Sequence, residues 1–282
     1  MSLLWNDFIN NLVVIILCAG EGRRMKEYSK EIPKPLLKIS SLNNKTILQN
    51  TIEILKTLGI KETFVVKGHL GHLIDENIAS LDKNITIIDS KEEYKKGPLN
   101  SFIEVLKSQN YQNTMSLLNE KGFFLVIPGD TIFESLLLHE ILEQARKHQL
   151  EFKKIPLVFY RNLNPDLIYN TKKQEINKIT KKISIAVIQK NHPSNLLKEI
   201  VQVELEEITH KEIVNQIIPI FIFPVVFNKI ILKMEPFIQE RTLKALINDI
   251  IKAGNIINAL ELKNEYQFYD IDEITDLTRL NQ

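Results

Sequence analysis

Six apolar residues, Leu12 to Leu17, run straight into Cys18-Ala19-Gly20-Glu21-Gly22-Arg23-Arg24-Met25. This junction constrains the fold more than any other stretch. An unbroken aliphatic run reads as a strand buried on both faces. The two glycines let the backbone bend sharply and bring its N–H groups close to an anion. The arginines add charge that does not titrate away, in a fork that matches phosphate oxygens. Further on, Pro33-Lys34-Pro35 pins a lysine between two rigid residues. Strand, glycine turn, guanidinium and pinned lysine together describe a site for a polyphosphate. No Gly-Lys-Ser/Thr follows, so the turn is not a P-loop, and a third glycine at dinucleotide-fold spacing is missing.

The remainder of the first half repeats a strand–helix rhythm. Residues 46–58 carry a helical stripe (Ile47, Leu48, Ile52, Leu55, Leu58) with Gly59 as its C′ residue. Residues 62–67 and 85–89 read as strands, which implies parallel pairing through right-handed crossovers. His69 and His72 lie just past the first of these strands, where solvated loop histidines are common. The turn Gly97-Pro98-Leu99-Asn100-Ser101 opens a helix expected over 102–109, whose N-terminus either offers N–H groups to a ligand or is a plain capped turn. A strand at 123–127 delivers Pro128-Gly129-Asp130-Thr131, placing a carboxylate at the edge where open α/β sheets bind ligands. A long helix is expected over 133–150. From Ile155 onward the pattern is mostly strand (155–160, 182–190, 199–208, 217–223), then helices at 224–234 and 241–253. Lys172, Lys173, Lys181 and Lys182 read as solvated faces of a hairpin. With no linker rich in Pro, Gly or Ser, residues 1–282 form a single domain, of which 1–11 are an extension that could be a short helix or a tail.

Composition excludes several classes. Hydrophobic content of 44% and charged content of 25% are those of an ordinary globular protein. A net charge of +1 argues against a nucleic acid or a membrane surface as partner. One cysteine rules out a disulfide framework or a cysteine-built zinc site. No apolar run approaches the roughly twenty residues that span a membrane, and residues 1–11 do not read as a signal peptide. A cytoplasmic location follows by elimination; oligomeric state stays open, a homo-oligomer included.

LCAGEGRRM followed by PKPLLKI resembles the signature of the sugar-phosphate nucleotidyltransferases, L-A-x-G-x-G-x-R-[ML] and then P-K-P, a group that includes MobA-like enzymes. The ending FYDIDEITDL resembles the family's W-x-D-I-D/G-T-P-E-D-L, with Glu273-Ile274 in place of Thr-Pro. The resemblance, taken with the strand–helix rhythm, implies an α/β fold: a Rossmann-like, mostly parallel sheet flanked by helices, with a smaller antiparallel sheet in the C-terminal half. It makes 12–150 the nucleotide-binding half and 151–282 the acceptor-binding half.

It also implies an enzyme that couples a nucleoside triphosphate to a sugar 1-phosphate with Mg2+, releasing pyrophosphate. Arg24 and Lys34 take the catalytic places. Cys18, Ala19, Gly20, Glu21, Gly22 and Arg23, with Gly97, Pro98 and Ser101, take the nucleotide-binding ones. Asp130 and Asp272 are the metal ligands, with Asp270 carried beside Asp272 because alternate strand residues share a face. Three other readings stay open: a cytidylyltransferase for phosphocholine or inositol phosphate, a molybdopterin guanylyltransferase-type relative, and a non-catalytic nucleotide-sugar-binding regulator.

Overall fold

The computed structural model describes residues 3–25, 28–81, 85–118, 121–151, 154–163, 182–191, 194–204, 208, 213–263 and 265–281. Lys172, Lys173 and Lys181 lie outside the described residues. The first half runs α1 (Leu3–Asn10), β1 (Leu12–Leu17), α2 (Tyr28–Glu31), β2 (Lys38–Ile39), β3 (Lys45–Thr46), α3 (Ile47–Thr57), β4 (Glu62–Lys67), α4 (Gly71–Ala79) and β5 (Ile85–Asp89). Then come α5 (Pro98–Lys107), α6 (Gln109–Leu118), β6 (Phe123–Pro128), β7 (Thr131–Phe133) and α7 (Ser135–Glu151). The second half runs β8 (Leu157–Leu163), β9 (Lys182–Gln189), β10 (Asn195–Glu204), β11 (Val214–Pro224), α8 (Phe227–Met234), α9 (Leu243–Lys252), β12 (Asn258–Glu261), β13 (Phe268–Asp270) and α10 (Ile274–Leu280).

Nine strands form one sheet in the order β5-β4-β1-β6-β11-β8-β12-β10-β9. The strands β5, β4, β1 and β6 are mutually parallel, as the strand–helix rhythm requires. Beyond them β11 returns antiparallel to both β6 and β8, β10 is antiparallel to β9 and β12, and only β12–β8 is parallel. The sheet is therefore mixed, which corrects the expectation of a mostly parallel one. Parallel neighbours need long crossovers, and β9, β10 and β11 follow one another without a described helix between them. Nor do these strands make a sheet of their own, since they extend the large one. The small antiparallel pair that does stand apart joins β7 from the first half to β13 from the second.

β1 shows why its sequence reads as it does. Leu12, Val14 and Ile16 enter the apolar layer on one face and Val13 and Ile15 the layer on the other, all at most 1% exposed. That is the two-residue side-chain period with both faces covered. Each such burial is worth about 1.5–3 kcal/mol. α3 starts with a capping box: Gln49 N donates to Thr46 Oγ1 (3.0 Å) and Thr46 N to Gln49 Oε1 (2.9 Å). It ends at Gly59, whose φ of 86° is left-handed.

Of the two readings of residues 1–11, the structure takes the helix. Trp5, Phe8 and Ile9 of α1 are buried in the core, and the Trp5 ring stacks on His139 at 5.3 Å. No helix of the described residues is long and apolar enough to cross a membrane.

Candidate active site

The glycine loop leaves the end of β1 under tight control. Cys18 N donates to Val66 O (2.9 Å), and Gly129 N donates to Leu17 O (2.9 Å), so both parallel neighbours hold the strand end. Past that point the N–H groups of Gly20, Glu21 and Gly22 have no hydrogen-bond partner among the described residues. They are available to an anion in the way a phosphate-binding turn requires. Gly22 sits at φ 62°, and a Cβ there would lie 3.1 Å from Lys34 Cγ and 3.2 Å from Ser29 Cβ. The loop therefore packs directly on the stem of the pinned lysine. Lys34 is only 7% exposed, in a 3-10 turn whose Leu37 N returns to Lys34 O at 3.0 Å.

From there the Lys34 ammonium reaches two carboxylates that come from opposite ends of the sequence. Its Nζ lies 3.3 Å from Asp130 Oδ2 and 3.5 Å from Asp272 Oδ1. Arg24 donates to the other oxygen of Asp272 at 3.0 Å. Asp130 follows Gly129, where a Cβ would lie 2.6 Å from Cys18 Sγ and 2.8 Å from Leu17 O, so only glycine fits this turn. The backbone ties the two carboxylate segments together, with Ile271 N donating to Asp130 O at 3.1 Å. Asp272 is oriented in turn by Asp276, whose Oδ2 accepts from Asp272 N (3.0 Å) and Glu273 N (3.1 Å) at the start of α10.

Two of the expected site residues line the same cleft but are bonded away from the Lys34 cluster. Arg23 pairs with Glu21 at 2.5 Å and its side chain is 77% exposed. Asp270 accepts from Thr131 Oγ1 at 2.6 Å, across the β13–β7 pair. β13 ends at Asp270, so the strand-face argument linking Asp270 to Asp272 does not apply. Asp272 lies past the strand, where the chain is already turning into α10.

Of the two readings of the turn at Gly97 the structure takes the capped one, with the helix starting earlier than expected. α5 begins at Pro98 and not at residue 102, so Ser101 belongs to its first turn. The N–H groups there are in use: Leu99 N donates to Arg241 O (3.1 Å) and Asn100 N to Gly97 O (3.1 Å). Gly97, Pro98 and Ser101 line the cleft, as do Ala19 and Gly20, but the helix end is already capped. His69 is not a solvated loop residue, since its Nε2 donates to Ser29 O at 2.8 Å and braces α2. Burial, with the Asp130 charge adding to it, pushes the Cys18 thiol well up, so this residue is a packed thiol.

The glycine loop, Arg24, Lys34, Asp130 and Asp272 line one open cleft of about 2050 Å3. A pocket for a single drug-sized ligand is usually about 300–1,000 Å3, so the cleft has room for two ligands side by side. It is also lined by Arg161, Gln216 and Gln267, which sequence reasoning did not single out. The one signal was an arginine inside an otherwise apolar strand pattern, LVFYRNL. Among the described residues no group of three or more His, Cys, Asp or Glu side chains could hold a metal ion. Asp130 and Asp272, joined through the Lys34 ammonium, are a two-carboxylate pair of oxygen donors lining the cleft.

The model of the MobA-like NTP transferase domain matches residues 14–186, more than half of the chain, and the chain belongs to that family. The D-glycero-α-D-manno-heptose 1-phosphate guanylyltransferase of Campylobacter jejuni is 36% identical over 110 residues, 39% of this chain and 48% of that protein. A bifunctional GlmU protein of Methanococcus maripaludis is 28% identical over 212 residues, 73% of this chain and 47% of its own length. The chain thus spans about half the length of these curated relatives. The CTP:phosphocholine cytidylyltransferase of Streptococcus pneumoniae has the same fold, with a TM-score of 0.63 at 15% identity over 96% of this chain and 98% of that one.

Proposed function

We propose, with membership of that family as the premise, that the chain transfers a nucleotidyl group from a nucleoside triphosphate to a sugar 1-phosphate. An oxygen of the acceptor phosphate bonds to the α-phosphorus, the bond from that phosphorus to the β-phosphate oxygen breaks, and pyrophosphate leaves. One observation carries this reading: the buried Lys34 ammonium reaches both Asp130 and Asp272 beside the open N–H groups of the glycine loop. The reaction needs alignment and positive charge and no nucleophilic side chain.

The loop N–H groups cradle the triphosphate, and Arg24 leans from the same loop toward its β- and γ-phosphates. Lys34, rigidly held, answers charge that grows on the α-phosphoryl oxygens in the transition state. Asp130 and Asp272 already share one cation, the ammonium, so they are close enough to share another. They offer hard oxygen donors, the set magnesium takes when substrate phosphates and water complete its shell. When bound, magnesium supplies further positive charge to the phosphate oxygens.

The test is pyrophosphate release from GTP, CTP, UTP and dTTP against a panel of sugar 1-phosphates and alcohol phosphates, with magnesium and with EDTA. Release that depends on both a sugar 1-phosphate and magnesium is expected. Release from no combination would defeat the proposal, and release with phosphocholine alone would replace the acceptor class.

A further inference from the structure

Arg161 stands on β8 directly opposite Gln216 of β11. Its Nε donates to Gln216 Oε1 at 2.9 Å, and one terminal nitrogen donates to Gln267 Oε1 (2.9 Å) and Tyr266 O (3.3 Å). The guanidinium carbon lies 4.7 Å over the Phe268 ring. Four contacts thus fix the group in place, yet the second terminal nitrogen has no partner among the described residues. Guanidinium only donates, so Gln216 must present its carbonyl oxygen to it. That turns the Gln216 NH2 away, and it too has no described partner. Both residues line the cleft. What they offer there is donors without acceptors, with a positive charge behind them.

Among the described residues no carboxylate forms an ion pair with Arg161. Burial works against its charge, while the Asp270 and Glu134 carboxylates support it through space. The group stays cationic at any physiological pH. Its location sets which end of a substrate it meets. Phe268, beneath the guanidinium, lies four residues before Asp272, a step of at most about 14 Å. The guanidinium bonds none of the groups at the glycine-loop end, where Lys34 and Arg24 hold Asp130 and Asp272, so it is a separate cation of the same cleft.

We propose that Arg161 and Gln216 form a subsite for an anionic group at the end of the acceptor remote from its phosphate. The acceptor class is then a sugar 1-phosphate with a second negative group, a carboxylate or another phosphate. A donor-only, charged, preorganised pair fits an acceptor-only anion and does not select for neutral hydroxyls, which need acceptors as well. This inference rests on the nucleotidyl-transfer reading given above.

The experiment compares kcat/KM for glucuronic acid 1-phosphate, glucose 1,6-bisphosphate, glucose 1-phosphate and phosphocholine in the full chain, in R161Q, in R161K and in Q216E, with each of the four nucleotides. One or both of the anionic acceptors should exceed glucose 1-phosphate, and which one leads distinguishes carboxylate from phosphate. In R161Q that preference, taken as the ratio of kcat/KM values, should fall roughly ten- to a hundredfold. R161K should retain part of it, and Q216E, which adds a negative charge, should lower it by a separate route. A strut that merely ties the strands together would lower every acceptor alike and leave the ratio unchanged, which would overturn the inference. So would a wild-type preference for glucose 1-phosphate or phosphocholine. Absence of release with every acceptor would instead bring down the parent reading, and this one with it.

Discussion

Two parts of the cleft hold their cations by different means. At the glycine-loop end Lys34 and Arg24 are answered by Asp130 and Asp272, so charge is balanced before any ligand arrives. Elsewhere in the cleft Arg161 is held by two amides, a carbonyl and a ring, with Asp270 and Glu134 acting on its charge only through space. The first arrangement can exchange partners, because carboxylates that hold an ammonium can turn to a metal ion while the ammonium turns to a phosphate. The second cannot rearrange and can only be completed. On the proposed function, the difference would separate the part of the site that does chemistry from the part that chooses the acceptor.

The largest effects are expected where the balanced end is broken. Asp130→Ala and Asp272→Ala should each abolish magnesium-dependent turnover while circular dichroism remains native. Activity near wild type at saturating magnesium in either variant would remove that residue from the site. Lys34→Ala should come next, with a kcat loss on the order of 10²–10³, the usual cost of one preorganised contact to transition-state charge. Single-turnover rates would check it; a change in KM alone would place Lys34 in ground-state binding.

A smaller effect should separate the neighbouring arginines. Arg24, bonded to Asp272, should cost about tenfold in kcat/KM for the triphosphate when changed to Ala, in the range of one charge-assisted hydrogen bond. Arg23→Ala removes only an exposed pair with Glu21, worth at most about 1 kcal/mol. Steady-state kinetics on both variants sharpen the assignment, and Arg23→Ala as the worse of the two would shift the loop register by one residue. Gly129→Ala addresses the scaffold instead. Its Cβ would collide with Cys18 Sγ and Leu17 O, so denaturant titration should show about 1–3 kcal/mol of lost stability.

The two halves of the chain were not equally legible. β4 and β5 begin and end where the sequence places them, because buried parallel strands are aliphatic runs cut off by turn residues. The second half slips. β10 is expected over 199–208 and starts four residues earlier, at Asn195, with a register shift between Leu197 and Glu199 that no alternation of residues reveals; 205–207 lie outside the described residues. β11 starts three residues earlier than its apolar run, since Asn215 and Gln216 continue the strand with polar side chains. The loop, Lys34 and Asp130 could be read from local pattern. Asp272 could not, because 238 residues separate it from Lys34, and only the family resemblance connected the two. Arg161 was missed for a similar reason. Its meaning lies in its partners Gln216 and Gln267, which are 55 and 106 residues away.

The smallest expected effect tests how finely the balanced end is divided. Asp270 and Asp272 are two residues apart, and a strand that continued through both would aim them the same way. It stops at Asp270, which instead takes the Thr131 hydroxyl and helps pair β13 with β7. Asp270→Ala should therefore cost about 1 kcal/mol of stability, the usual net worth of one such hydrogen bond, and much less activity than Asp272→Ala. Thr131→Val should match its stability loss, because it removes the same bond from the other side. A double-mutant cycle across this pair, read by thermal unfolding, should show the two losses to be less than additive. The magnesium concentration giving half-maximal activity is the deciding measurement. If it rises in Asp270→Ala but not in Thr131→Val, then Asp270 reaches the metal, and the boundary between the chemical and the structural carboxylate lies two residues earlier than the geometry places it.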